Sequence, residues 1–140
     1  MGDRRVPDLE AMDEREAARL LTDLASDLSP GGEYAIRHPE DYAMEMPQSG
    51  ERIRGRESMQ AFQEAFPSSS APPKIRIRRV LVGDGLWVVE SVIDYGGGQV
   101  MHGVAILELK DGKVWRDTRY FADRFEAPEW RAQWVERMEP

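Results

Sequence analysis

Between residues 8 and 28 apolar side chains recur at helical spacing, as Leu9, Met12, Leu20, Leu21, Leu24 and Leu28, with Ala11, Ala17, Ala18 and Ala25 on the same side. The pattern predicts one amphipathic helix with a break near Asp13. Ser29-Pro30-Gly31-Gly32 stops it, because Pro disfavours helical geometry in the residue before it and glycine suits a left-handed exit. Residues 33–40 form a helical turn. Residues 41–46 alternate Tyr42, Met44 and Met46 against Ala43 and Glu45, as a strand does, and a turn over 47–50 leads back into a short strand at 52–54. Gly55-Arg56-Glu57-Ser58 opens a second helix with Met59, Phe62 and Phe66 on its face, ended by Pro67 and the Ser/Pro loop at 68–73.

After that loop the period changes from about 3.6 to 2. Strands are predicted at 75–82, 86–95, 100–109 and 114–124, followed by a helical tail at 127–138 with Pro128 in its first turn. Asp111-Gly112 supplies the positive φ that a tight hairpin turn needs, and Tyr95-Gly96-Gly97-Gly98-Gln99 makes a second hairpin. Helices first and a strand meander afterwards give an α+β fold with helices packed on one face of the sheet. A chain of 140 residues is expected to form a single domain, 1–140, with residues 1–8 flexible.

Composition removes several kinds of chemistry. With no Cys there is no disulfide, no thiolate metal site and no Cys nucleophile, and the two histidines, His38 and His102, make no ligand-spacing motif. No metal and no cofactor are expected. A net charge of −7 disfavours nucleic acid, and the basic run at 74–79 alternates with Ile75 and Ile77 like an exposed strand face. The charged N-terminus leaves no room for a signal peptide and no apolar run approaches membrane-spanning length, so the expected location is the cytoplasm, with no membrane partner.

Three stretches carry a family resemblance. Glu45-Met46-Pro47, a turn and Ile53-Arg54-Gly55-Arg56-Glu57-Ser58-Met59 form the first, and Asp111-Gly112-Lys113-Val114 the second. The third is Tyr120-Phe121 followed by Phe125-Glu126-Ala127-Pro128-Glu129-Trp130. Together they resemble SnoaL-like proteins of the nuclear transport factor 2 superfamily over about residues 20–130. The resemblance implies a curved, mostly antiparallel sheet wrapped around the N-terminal helices, a cystatin-like cone with a central pocket. Its catalytic sets are incomplete in this chain. The two ketosteroid isomerase aspartates fall on Met46 and Ala105. The last-strand aspartate of SnoaL-like cyclases and of limonene epoxide hydrolases falls on Arg119, and the cyclase histidine falls on Asp117.

Period two places Trp115, Asp117, Arg119 and Phe121 on one face of the last strand, which the family comparison assigns to the pocket. An acid and a base two residues apart can polarise a carbonyl and shuttle a proton, or simply neutralise one another. Glu90 interrupts an apolar strand and, if buried, takes Arg119 as its partner. A one-residue register slip turns it instead to solvent or a dimer interface. Asp117, Arg119 and Glu90 are therefore the candidate catalytic residues. Tyr34, Tyr42, Met46, Phe62, Trp87, Met101 and Phe121 are the candidate ligand-binding residues, in an aromatic and thioether inventory that equally makes ordinary core. His102 is expected outside the cone and His38 near the pocket mouth, both in surface roles. A sheet with Val80, Val82, Val104, Ile106 and Tyr120 on its outer side would expose an apolar patch, so a homodimer through that face is expected. Two functions remain open. One is binding of a small hydrophobic ring compound with acid/base catalysis of cyclase, isomerase or hydrolase type; the other is a non-catalytic binding or dimerisation module.

Overall fold

The computed structural model describes residues 7–27, 30–65 and 73–138. Helices α1 (Glu14–Asp27) and α2 (Pro30–Ile36) precede the strand pair β1 (Ala43–Met46) and β2 (Glu51–Arg54). Helix α3 (Arg56–Ala65) is followed by the long strands β3 (Lys74–Gly83), β4 (Leu86–Gly96), β5 (Gln99–Lys110) and β6 (Lys113–Asp123). The six strands form one open sheet in the order β2-β1-β6-β5-β4-β3. Every neighbouring pair is antiparallel except β1 with β6, which run parallel. This is the α+β arrangement that the change of period announced.

The break near Asp13 is a helix start. The Asp13 carboxylate accepts from the Glu16 N–H at 2.8 Å and the Glu16 carboxylate from the Asp13 N–H at 3.1 Å, a reciprocal capping box. Before it a 3-10 turn at Leu9–Ala11 docks on the β5–β6 hairpin, where the Leu9 N–H donates to the Gly112 carbonyl at 3.0 Å. Asp111 and Gly112 both have positive φ, 55° and 74°, as a two-residue turn of this hand requires. Asp8 thus caps an ordered turn, while residues 1–6, expected flexible, lie outside the described residues. The glycines expected to stop the first helix do not: Gly31 and Gly32 lie inside α2. The tail expected to be helical at 127–138 forms only a 3-10 helix, Glu129–Trp134, because none of its residues is buried and Pro128 offers no side-chain cap. Phe66 lies outside the described residues.

The core fills the concave side, with Leu9, Met44, Met59 and Trp87 fully buried among it. Two irregularities in pairing decide which side chains join them. In β3 the register shifts between Ile77 and Arg79, so Val80 and Val82 pair with Val89 and Trp87 and turn inward, not outward as expected. In β6 Glu108 pairs with Arg116 and Leu109 with Val114, leaving Trp115 as the extra residue. Trp115 consequently turns to the outer face, between Lys110 and Arg116, instead of sharing the inner face with Asp117.

Candidate functional site

Between the sheet and the helices lies a cavity of about 210 Å³ with mostly apolar walls, among them Leu21 and Leu24 of α1, Val89 and Ile93 of β4 and Leu107 of β5. That is below the roughly 300–1,000 Å³ of pockets for drug-sized ligands, so the space suits a compact molecule. Apart from the Ser91 hydroxyl of β4, its polar side chains come from two directions. β6 contributes Asp117 and Arg119, and α2 and α3 contribute Glu33, Arg37 and Gln63.

Asp117 is 3 % exposed and accepts hydrogen bonds from three donors. Arg119 forks onto it, Nε to Oδ1 at 3.0 Å and Nη2 to Oδ2 at 2.9 Å, and the Tyr42 hydroxyl donates to Oδ2 at 2.9 Å. Tyr42 reaches it because β1 runs parallel beside β6, with Met44 opposite Asp117. Burial, reinforced by the Asp117 charge, pushes the Tyr42 hydroxyl well above its ordinary pKa of 10.0. Burial by itself would make Arg119 easier to deprotonate, but the Asp117 charge and hydrogen bonds outweigh it and hold the guanidinium protonated. The Arg119 side chain is 28 % exposed and lines the cavity, and its hydrogen bonds to Asp117 use Nε and Nη2.

The second polar group rests on helical spacing. Glu33 and Arg37 are four residues apart on α2, so they share a face, and Arg37 Nη2 donates to Glu33 Oε2 at 2.8 Å. Gln63 of α3 bridges the pair, accepting from Arg37 at 3.2 Å and donating to Glu33 at 2.8 Å. The Arg37 side chain is 3 % exposed, its guanidinium lies 5.4 Å from the Tyr42 ring centre, and its buried Nη1 has no hydrogen-bond partner among the described residues.

The candidate residues separate cleanly by face. Asp117, Arg119 and Phe121 border the cavity together. Glu90 does not join them: it sits opposite Arg79 and Val104 on the outer face and forms ion pairs with Arg78 and Arg79. The expected Glu90–Arg119 partnership is corrected by strand parity, since Val89 and Ser91 take the inward positions. Tyr42 lies behind Asp117, and Trp87 is packed into the core at 0 % exposure. Met46 packs against the core from β1. Tyr34 follows Glu33 around α2 and points away, its hydroxyl donating to Glu57 at 3.1 Å and its ring lying against Arg56. Phe62 is 40 % exposed, because Met59 and Gln63 take the inward side of α3, and Met101 sits farther along β5 opposite Ile93 and Asp123. Neither Phe62 nor Met101 borders the cavity.

His38 is a structural residue of the loop before β1. Its Nδ1 accepts from the backbone N–H groups of Glu40 and Asp41 at 3.2 and 3.1 Å, which leaves Nε2 to donate to Asp111 at 3.0 Å. His102 is exposed on the outer face opposite Val92. Among the described residues no group of three or more His, Asp or Glu side chains gathers as metal ligands do. Arg37, Glu33 and Gln63 went unread as site residues; the Glu33-to-Arg37 spacing of four was the available signal, and it reads equally well as a surface pair.

Residues 35–117, more than half of the chain, match the SnoaL-like domain family. A nuclear transport factor 2-like protein of unknown function from Burkholderia xenovorans has the same fold, with a TM-score of 0.79 and 36% identity over 89% of this chain and 94% of that one. The structure of a putative ketosteroid isomerase from Kribbella flavida aligns with a TM-score of 0.73 and 28% identity over 88% of this chain and 87% of its own. An uncharacterised protein with a cystatin-like fold from Silicibacter pomeroyi shares the fold at a TM-score of 0.59 and 17% identity, over 74% of this chain and 71% of that one. No curated protein matches the chain in sequence. The chain belongs to the SnoaL-like family of the nuclear transport factor 2-like superfamily.

Proposed function

We propose that this SnoaL-like domain binds a compact, mostly apolar ring compound in its cavity and holds a neutral acceptor oxygen of that compound on Arg119. The observation that carries the reading is the guanidinium of Arg119, anchored by Asp117 and lining an apolar cavity with donors to spare. The charge count favours a neutral ligand. Arg37 and Arg119 are balanced by Glu33 and Asp117, so an anionic ligand would add an uncompensated charge to a desolvated space.

Binding and polarisation of a carbonyl fit this arrangement better than proton transfer. Asp117 accepts three hydrogen bonds, two of them from the Arg119 guanidinium, so a proton on it would sacrifice a charge-assisted pair, while Glu33 accepts both of its bonds on Oε2 and serves the cavity as an acceptor. Arg119 has no proton to give at neutral pH. A catalytic cyclase, isomerase or hydrolase reading therefore ranks behind a binding role.

Titration with three ring compounds of matched shape tests the proposal. Acetylcyclohexane should raise the melting temperature and saturate, while methylcyclohexane and cyclohexanecarboxylate should do so weakly or not at all. Ala105→Leu, which fills the cavity beside Arg119 without removing a charge, should abolish the ketone effect. Stronger stabilisation by the carboxylate than by the ketone would refute the neutral-acceptor reading, and an unchanged response in Ala105→Leu would refute the cavity as the site.

A further inference from the structure

The extra residue in β6 sends two consecutive side chains, Trp115 and Arg116, to the outer face, where strict alternation allows one. The Arg116 guanidinium stands 4.6 Å from the Trp115 ring centre, a stacking that holds a long side chain in place. The row continues toward the β2 edge of the sheet. Ala43 of β1 pairs with Arg116 on one side and with Arg54 of β2 on the other. The backbones of the two arginines are therefore two strand spacings apart, about 10 Å, and the residue between them offers only a methyl group.

A depression of about 110 Å³ opens at this row, bordered by Arg54, Arg116 and Trp115 together with Arg52, Asp41 and Glu45. It shares no lining residue with the apolar cavity on the concave side. Both of its carboxylates are already held, Glu45 by Arg52 at 2.7 Å and Asp41 by Lys110 at 2.7 Å. Arg54 and Arg116 form no ion pair among the described residues, even though Glu108 lies opposite Arg116 on β5. On a chain of net charge −7 this excess of guanidinium is local, not part of a generally basic surface. We infer that the depression is an anion site that takes a phosphate group between the guanidinium groups of Arg54 and Arg116.

Size, charge and geometry agree on this ligand. The depression is several times the roughly 30 Å³ that one water occupies, which leaves room for a single compact oxyanion. A phosphate dianion balances two unpaired cations, whereas a carboxylate leaves one of them uncompensated. Guanidinium presents paired N–H donors in a planar fork that matches two phosphate oxygens, so two arginines approaching from opposite sides can hold one group without a metal ion. Arg54 and Arg116 are both exposed, so the site is reached from solvent, and free phosphate and the phosphate of a monoester offer it the same chemistry.

Calorimetric titration of the full chain with inorganic phosphate and, separately, with methyl phosphate tests the inference independently of the cavity. At mildly alkaline pH both probes carry two charges, and sodium chloride holds the ionic strength constant. At least one probe should bind saturably at a single site; equal binding of both assigns a phosphate monoester as ligand, and binding of inorganic phosphate alone assigns the free ion. Arg54→Gln and Arg116→Gln should each weaken binding about tenfold, the loss of one charge-assisted contact, and the double substitution should abolish it. The circular dichroism of the fold should be retained, since both side chains are exposed. Arg79→Gln, which removes the same charge elsewhere on the outer face, should leave binding unchanged. Saturable binding of neither probe overturns the inference, as does binding that survives the double substitution or falls equally in Arg79→Gln.

Discussion

Two acid–guanidinium pairs border the same cavity, and they are built in opposite senses. In the β6 pair the acid is hidden: the Asp117 side chain is 4% exposed and its Arg119 partner 28%. In the α2 pair the base is hidden: the Arg37 side chain is 3% exposed and its Glu33 partner 31%. The hidden member of each pair depends wholly on protein partners, whereas the more open member keeps capacity for something else. For Asp117 that dependence is met by three donors, while Arg37 retains an Nη1 unpartnered among the described residues. The cavity therefore presents a donor on the sheet side, at Arg119, and an acceptor on the helix side, at Glu33.

The largest expected effect comes from removing the fully satisfied acid. Asp117→Ala leaves Arg119 charged beside an apolar cavity and Tyr42 without its acceptor, and should cost about 3–5 kcal/mol in urea denaturation. A loss below 1 kcal/mol, on the order of an exposed pair, would break the contrast.

Tyr42→Phe keeps the pair and removes one donor to a charged acceptor, so about 1.5–3 kcal/mol should be lost at neutral pH. The same variant sharpens the account through pH. Burial and the Asp117 charge raise the folded-state pKa of Tyr42 above its ordinary 10.0, so the folded protein holds this proton more tightly than the unfolded chain. That contribution is complete below about pH 10 and is lost as pH rises further. Wild-type stability should therefore fall in the alkaline range more steeply than that of Tyr42→Phe, and parallel curves would show that the phenol is not coupled to folding.

Glu33→Ala should cost less, about 1–2 kcal/mol, because Gln63 still accepts from Arg37 and the lost carboxylate was already partly solvated. A cost equal to that of Asp117→Ala would mean that the two pairs are equivalent. The smallest change belongs to Glu90→Ala on the outer face. Its partners Arg78 and Arg79 are 47% and 59% exposed, so the loss should stay within about 1 kcal/mol and shrink further in high salt. A larger, salt-independent loss would place Glu90 in a role that its geometry does not give it.

The placement of these groups was legible to different degrees. Asp117, Arg119 and Phe121 share the cavity because β6 keeps a strict period of two beyond Trp115, and Asp111-Gly112 fixed the hairpin that orients it. Trp115, Val80 and Val82 lie on the face opposite to the one strict alternation predicts, because one extra residue in β6 and another in β3 reverse the alternation, and no composition signal marks either irregularity. Arg37 and Glu33 became site residues through tertiary contact. The backbone bridge of Arg37 to Val114 ties the end of α2 to β6, a pairing 77 residues apart that local pattern does not carry. Glu90 illustrates the same limit, since a buried Glu90 paired with Arg119 and a Glu90 turned to the outer face differ only in register, and the register sets it beside Arg79.

The central claim is that Arg119 holds a neutral acceptor oxygen inside the cavity, and the carbonyl stretch of a bound ketone reports on it most directly. Difference infrared spectra of the wild-type protein titrated with carbonyl-¹³C acetylcyclohexane should show a saturable band at lower frequency than the same ketone has in cyclohexane, the mark of a strong donor on the oxygen. A bound band at the cyclohexane frequency would place the ketone in the cavity without contact to Arg119, and the absence of any saturable band would contradict the claim outright.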